Sequence, residues 1–166
     1  MAINFPEGTQ NYPCKIVQVV ATPKYNTFST SSTSFVDVND LNVTITPKSS
    51  SNKILIMVDI KCGSSTNGAE YFARLLRGST LIYGGNSSGR EECFYGTEDT
   101  EDQFRMDHAG ANFLDSPNTT SATTYKVQIR NNNSSHTIYI NRTGADTNSS
   151  GYPRTASSII AMEVEA

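Results

Sequence analysis

Apolar positions in this chain recur at every second residue in short runs, and each run is cut off by a turn rich in Ser, Thr, Asn or Gly. Residues 41–46 show the pattern most cleanly. Leu41, Val43 and Ile45 fall on one side of an extended segment, Asn42, Thr44 and Thr46 on the other, and Pro47 ends it. Residues 53–62 predict the strongest strand, with Ile54, Ile56, Val58 and Ile60 on one face and Leu55 and Met57 beginning a second apolar face. Two apolar faces predict a central strand, with one side in the core and the other covered by a neighbouring subunit. Further strands are predicted at 16–22, 25–29, 34–38, 112–114, 124–130, 137–141 and 155–164. Two short ones, at 90–95 and 103–106, flank an acidic loop at 97–102. Residues 70–77 and 80–83 read as a hairpin turning at Gly78–Ser79. The stretch EYFARLL within it would also suit a short helix, but the flanking glycines and the surrounding strands favour β.

Turn signals spaced this regularly, with no amphipathic segment of helix length, predict an all-β fold. The expected architecture is a single antiparallel β-sandwich, jelly-roll-like, over residues 14–166. It is preceded by an extended arm at 1–13, which is polar and carries two prolines. A length of 166 residues fits one such domain.

Charge and cysteine content narrow the function classes. A net charge of −3 and a pI near 5.3 argue against a nucleic-acid partner and against binding to an anionic membrane surface. No apolar run approaches the ~20 residues of a membrane span. Cys14, Cys62 and Cys93 show neither CxxC nor zinc-ligand spacing, and Cys62 reads as a buried small hydrophobe. The opening MAINFPEG lacks the basic and apolar regions of a secretory signal, so assembly in a reducing cytoplasm is expected, and the Asn-x-Ser/Thr sequons carry little weight.

Candidate chemistry is sparse. Cys93, Asp107 and His108 could be assembled on paper into a nucleophilic set, but no nucleophile elbow or local signature surrounds them, and a solvated histidine is the simpler reading. His136 is expected to be exposed at the start of a strand. The acidic run Glu91, Glu92, Glu98, Asp99, Glu101, Asp102 and Asp107 raises calcium binding or carboxylate-driven glycoside hydrolysis. The EF-hand spacing and its glycine are missing, and Trp is absent, so a solvated loop is preferred and no cofactor is expected. Phe28, Phe35, Phe72, Phe94, Phe104 and Phe113 are assigned to the core. Tyr83, Tyr95 and Tyr152 sit at strand ends beside Gly- and Ser-rich turns and, with Arg154, are the candidates for surface contacts.

Several segments in sequence carry a resemblance. They are KIVQVV at 15–20, TFSTSSTSFVDV at 27–38, residues 41–47 leading to KILIMV, RLLRGSTLI at 74–82 and FLDSPNTTSATTYKVQIR at 113–130. INRTGADT and the closing RTASSIIAMEV complete the set. Together they resemble virion structural proteins of tailed bacteriophages, especially those of marine and cyanobacterial hosts, and AINFPEG resembles the start of fibre-like phage proteins. The resemblance implies a non-enzymatic β-sandwich displayed on the virion as a homo-oligomer, with three subunits expected. Its implied role is a tail-fibre or appendage module contacting the host surface, with a capsid decoration or cement protein as the alternative. A free carbohydrate-binding lectin module is the alternative of a different class. The implied partners are other copies of the chain, other virion proteins through the N-terminal arm, and a host surface glycan. No catalytic or receptor-contact residue is carried over.

Overall fold

The computed structural model describes residues 15–86, 88–97 and 102–165, so the arm at 1–13, Cys14, Glu98, Asp99 and Glu101 lie outside the described residues. Eleven strands are found among the described residues: β1 Ile16–Lys24, β2 Phe28–Thr30, β3 Val36–Ile45, β4 Lys53–Ser64, β5 Tyr71–Arg77 and β6 Thr80–Tyr83. They continue with β7 Tyr95–Thr97, β8 Asp107–Asp115, β9 Thr123–Asn131, β10 Ile138–Ile140 and β11 Ser157–Val164. The EYFARLL stretch is strand β5, turning at Gly78–Ser79 into β6, as the hairpin reading expects.

Antiparallel pairing assembles two sheets. In the first, β4 is central: β8 runs along one edge, and β11 followed by β10 runs along the other, with β1 and β2 outside them. In the second, the order is β3-β9-β5, and β6 and β7 share the far edge of β5. Set aside the short β2, β7 and β10, and the sheets read β1-β11-β4-β8 and β3-β9-β5-β6. The pairs are nested along the chain: β1 with β11, β3 with β9, β4 with β8 and β5 with β6. Nested antiparallel pairs folded over into two sheets are the jelly roll, so the fold class is the one expected.

Period-two alternation explains the layering. Ile54, Ile56, Val58, Ile60 and Cys62 of β4 are buried against Tyr71, Ala73 and Leu75 of β5 and Tyr125, Val127 and Ile129 of β9. Each such aliphatic side chain contributes about 1.5–3 kcal/mol by leaving water. Two polar pins, the first buried and the second part-buried, cross between the sheets at opposite ends of β8. At one end the Tyr125 hydroxyl donates to Asp115 Oδ2 (2.7 Å), which also holds Arg77 Nη1 (2.8 Å). At the other, the Tyr71 hydroxyl reaches Asp107 Oδ2 (3.4 Å).

Several expectations are corrected. The strands expected at 34–38 and 41–46 are one strand, β3 (Val36–Ile45), whose pairing with β9 is broken between Asp37 and Asn42; Asp40 takes a φ of 60° there, so Val38 and Leu41 both turn inward. Residues 90–94 and 103–106 are not strands; β7 begins at Tyr95, and the strand beyond the acidic loop is β8. Phe104 is 52% exposed instead of buried. Phe35 and Phe72 lie on the outer side of the second sheet, each under a guanidinium: Arg74 is 3.8 Å from the Phe35 centroid and Arg130 4.6 Å from that of Phe72. The large aromatics of the core are instead Tyr71 and Tyr125.

The outer side of the first sheet keeps an apolar surface that the chain only half covers. Across its four strands run Val19, Met162, Leu55 and Leu114 in one row and Ala21, Ile160, Met57 and Asn112 in the next. Val19 is 52% and Leu114 47% exposed, while Leu55, Met57, Ile160 and Met162 are half-buried. The two faces of β4 are therefore not both sealed within one subunit by the described residues, as the sequence pattern anticipates.

Candidate functional site

Of the four surface candidates, Tyr152 and Arg154 are brought together, in the long connection between β10 and β11. That connection is pinned at its base. Asn141, with a φ of 65°, donates from Nδ2 to the carbonyls of Lys24 (2.9 Å) and Asn26 (3.0 Å), and its Oδ1 accepts from Ser157 Oγ (2.6 Å). The chain then crosses the end of β4 so closely that a Cβ on Gly144 would collide with the Ser64 carbonyl, and one on Gly63 with the Arg142 carbonyl.

Arg142 and Arg154 form a backbone bridge, and Asp146 lies between their guanidinium groups: Oδ2 is 3.1 Å from Arg142 Nη1 and 2.6 Å from Arg154 Nη2. Arg142 also stacks 3.9 Å from the Tyr139 centroid and donates to the Thr143 and Gly144 carbonyls. Tyr152 tilts against Phe104 at 6.0 Å between centroids. Asp146, Thr147, Asn148, Ser149, Tyr152 and Arg154 line an open pocket of about 240 Å³. Within the lining, Asp146 balances Arg154, with Arg142 behind the carboxylate, beside hydroxyls, an amide and the Tyr152 ring. That combination suits a hydroxylated ligand held at a surface, and the lining offers no activated nucleophile.

Tyr83 and Tyr95 go elsewhere. Tyr83 stacks on Phe113 (5.2 Å between centroids), and Tyr95 packs against the core tyrosine Tyr71 (5.7 Å), where burial raises its phenol above the ordinary range. Cys93, Asp107 and His108 likewise take separate partners. Cys93 Sγ approaches the Glu91 carbonyl, Asp107 accepts from Tyr71, and His108 Nε2 stands 2.9 Å from Asp59 Oδ1 on the outer face of the first sheet. Cys62 is fully buried, and burial pushes its thiol up to about 12. His136 is half-buried instead of exposed, and its Nδ1 has no hydrogen-bond partner among the described residues.

Among the described acidic residues, Glu91 pairs with Arg130 Nη2 (2.8 Å), and Asp102 Oδ1 accepts the Phe104 amide (3.1 Å). The described residues include no group of three or more His, Cys, Asp or Glu side chains placed to hold a metal ion. No helix among them is long and apolar enough to cross a membrane. Sequence reasoning missed the charged ladder on the outer side of the second sheet, where Gln128 Oε1 accepts from Arg74 and Asp37 takes both Gln128 Nε2 and Lys126 Nζ. The alternation of Lys126, Gln128 and Arg130 along β9 was the available signal.

No protein-family model matches the chain, and no curated protein matches it in sequence. Solved structures similar to it come from infectious bursal disease virus. The structure of the Gx strain is 13% identical, with a TM-score of 0.42. The virus-derived T=1 particles are 11% identical with a TM-score of 0.44, and the VP2 subviral particle is 12% identical with a TM-score of 0.40. Each match covers 99% of this chain and 44%, 42% and 45% of the respective neighbour, so the chain spans less than half the length of the structures it matches. The jelly-roll assignment rests on the strand order of the chain itself.

Proposed function

We propose that the chain is a non-enzymatic structural component of a virion, a jelly-roll subunit that packs through one outer sheet face and presents its loops to the surroundings. The observation that carries this reading is the four-strand apolar surface of the first sheet, set beside a second sheet whose outer side is charged. A subunit of an assembly needs one adhesive face and otherwise soluble surfaces. The sequence resemblance to tailed-phage virion proteins supports the same role. Jelly rolls also build lectins and cupins, so the fold alone does not select it.

Within that role the chain acts as a tail-fibre or appendage module, with the Tyr152–Arg154 pocket turned to a host surface glycan and the arm at 1–13 contacting other virion proteins. Localisation and copy counting on purified particles test this. A few copies at the tail are expected. A number matching the major capsid protein would replace the appendage role with capsid decoration, and absence from particles would end the virion reading. At the pocket, Tyr152→Ala and Arg154→Ala are expected to cut particle adsorption to host cells about tenfold while leaving thermal stability unchanged, since each side chain sits on a loop away from the core. Adsorption at the native level in both variants would remove the pocket from the host contact.

A further inference from the structure

The apolar face of the first sheet has a symmetry that says what covers it. Along β4 the outward residues are Lys53, Leu55, Met57, Asp59 and Lys61. Turn a second copy over about an axis that runs across the strands, level with Ile56. Leu55 then meets Met57, Met162 meets Ile160, and Lys53 meets Asp59, and every one of these contacts is made twice. The apolar centre meets itself, and Lys53 at one end of the strand faces Asp59, with its partner Lys61 beside it, at the other.

We propose that this face is a two-fold interface in which β4 of one copy lies antiparallel over β4 of another, sealed by two Lys53–Asp59 ion pairs. The pattern is that of an isologous contact, in which residue i meets j and j meets i. Four strands and two alternate rows cover roughly 250 Å² of apolar surface. A standard interface takes ~800 Å² from each partner, so the polar rim and the strand ends supply the larger part of the contact around this apolar centre. Asp59 is held on the rim by Lys61 Nζ (2.5 Å) and His108 Nε2 (2.9 Å), so its carboxylate is already positioned at the edge of the apolar surface. Sheets stacked face to face cross at about 30°, so the pairing is closest at Leu55 and Met57 and opens toward Val19 and Leu114.

The inference deepens the assembly reading above but is read in solution, whereas the virion role is read on particles, so either can fail without the other. A two-fold contact gives an even copy number, unlike the trimer expected from the sequence. Sedimentation equilibrium of the full chain is expected to give a dimer mass. Val19→Glu and Leu114→Glu alter exposed side chains that the fold does not need, and each should raise the dissociation constant tenfold or more with an unchanged circular-dichroism spectrum. Lys53→Glu and Asp59→Lys should each weaken the dimer, and the combined variant should restore it. A monomer at concentrations up to about 100 µM, a trimer, or a dimer untouched by Val19→Glu would overturn the proposal. The monomer result would hand the face to the arm at 1–13 or to another virion protein. Failure of the combined variant to restore association would overturn the register.

Discussion

Glu163 is fully buried on β11, yet it is served by donors on three sides: Asn52 Nδ2 and the Lys48 amide reach Oε1 (both 2.7 Å), and Gln18 Nε2 reaches Oε2 (2.6 Å). Burial alone would raise its carboxyl, but these hydrogen bonds, with a further one from the Ser49 backbone, outweigh it and hold the group below the usual carboxylate range. A carboxylate whose folded value is depressed adds stability that is present above the unfolded value of about 4.3 and lost as pH falls through the folded one. Glu163→Gln is therefore expected to cost about 2 kcal/mol at neutral pH, because the new amide NH₂ faces donors. The gap from the native chain should close below about pH 4. Urea denaturation at pH 7 and pH 3.5 checks both; an equal gap at the two values would refute the role of the charge. None of this was legible beforehand, since Glu163 falls in a closing apolar run where alternation marks it only as facing the same way as Ala161.

At the scale of elements, β4 and β3 were legible, and of β8 only its end at 112–114 was. Alternation of branched aliphatics sets the first two apart, and only the bulge at Asp40 escaped notice. β8 reads DHAGANFLD, and its inward residues at the start are Ala109 and Ala111 on either side of Gly110, which carry little strand propensity. Its strand form comes from pairing with β4 along nine residue positions, a long-range contact that no local pattern announces. The connection that carries Tyr152 and Arg154 was legible as turns, whereas Asp146 between two arginines depends on how the loop doubles back. That loop is set by its close approach to β4, so Gly144→Ala is expected to cost about 2 kcal/mol or more through the displaced Ser64 carbonyl, and to weaken any ligand binding at the pocket. Gly151→Ala, with open space around it, should be near neutral; comparison of the two melting temperatures checks the contrast.

For the molecule as a whole, the two sheets are held together by a core of aliphatics and by the tyrosine pins at either end of β8. Removing the Asp115 carboxylate would leave a half-exposed Arg77 and a buried Tyr125 hydroxyl without their partner. Asp115→Ala is expected to cost about 3 kcal/mol and Tyr125→Phe about 1 kcal/mol. A double-mutant cycle on this pair should show strong coupling. Additive losses would mean that the hydroxyl and carboxylate do not act together.

The nesting of β1 with β11 also has a consequence in time. The two strands are separated by almost the entire length of the fold, and the apolar outer surface is made only when they lie side by side with β4 and β8. During synthesis, β4 and β8 emerge and can pair long before β11 exists, so a nascent chain has no complete adhesive face to offer its neighbours on the same polysome. Any association through that face would therefore wait until β11 has been made and has closed the sheet.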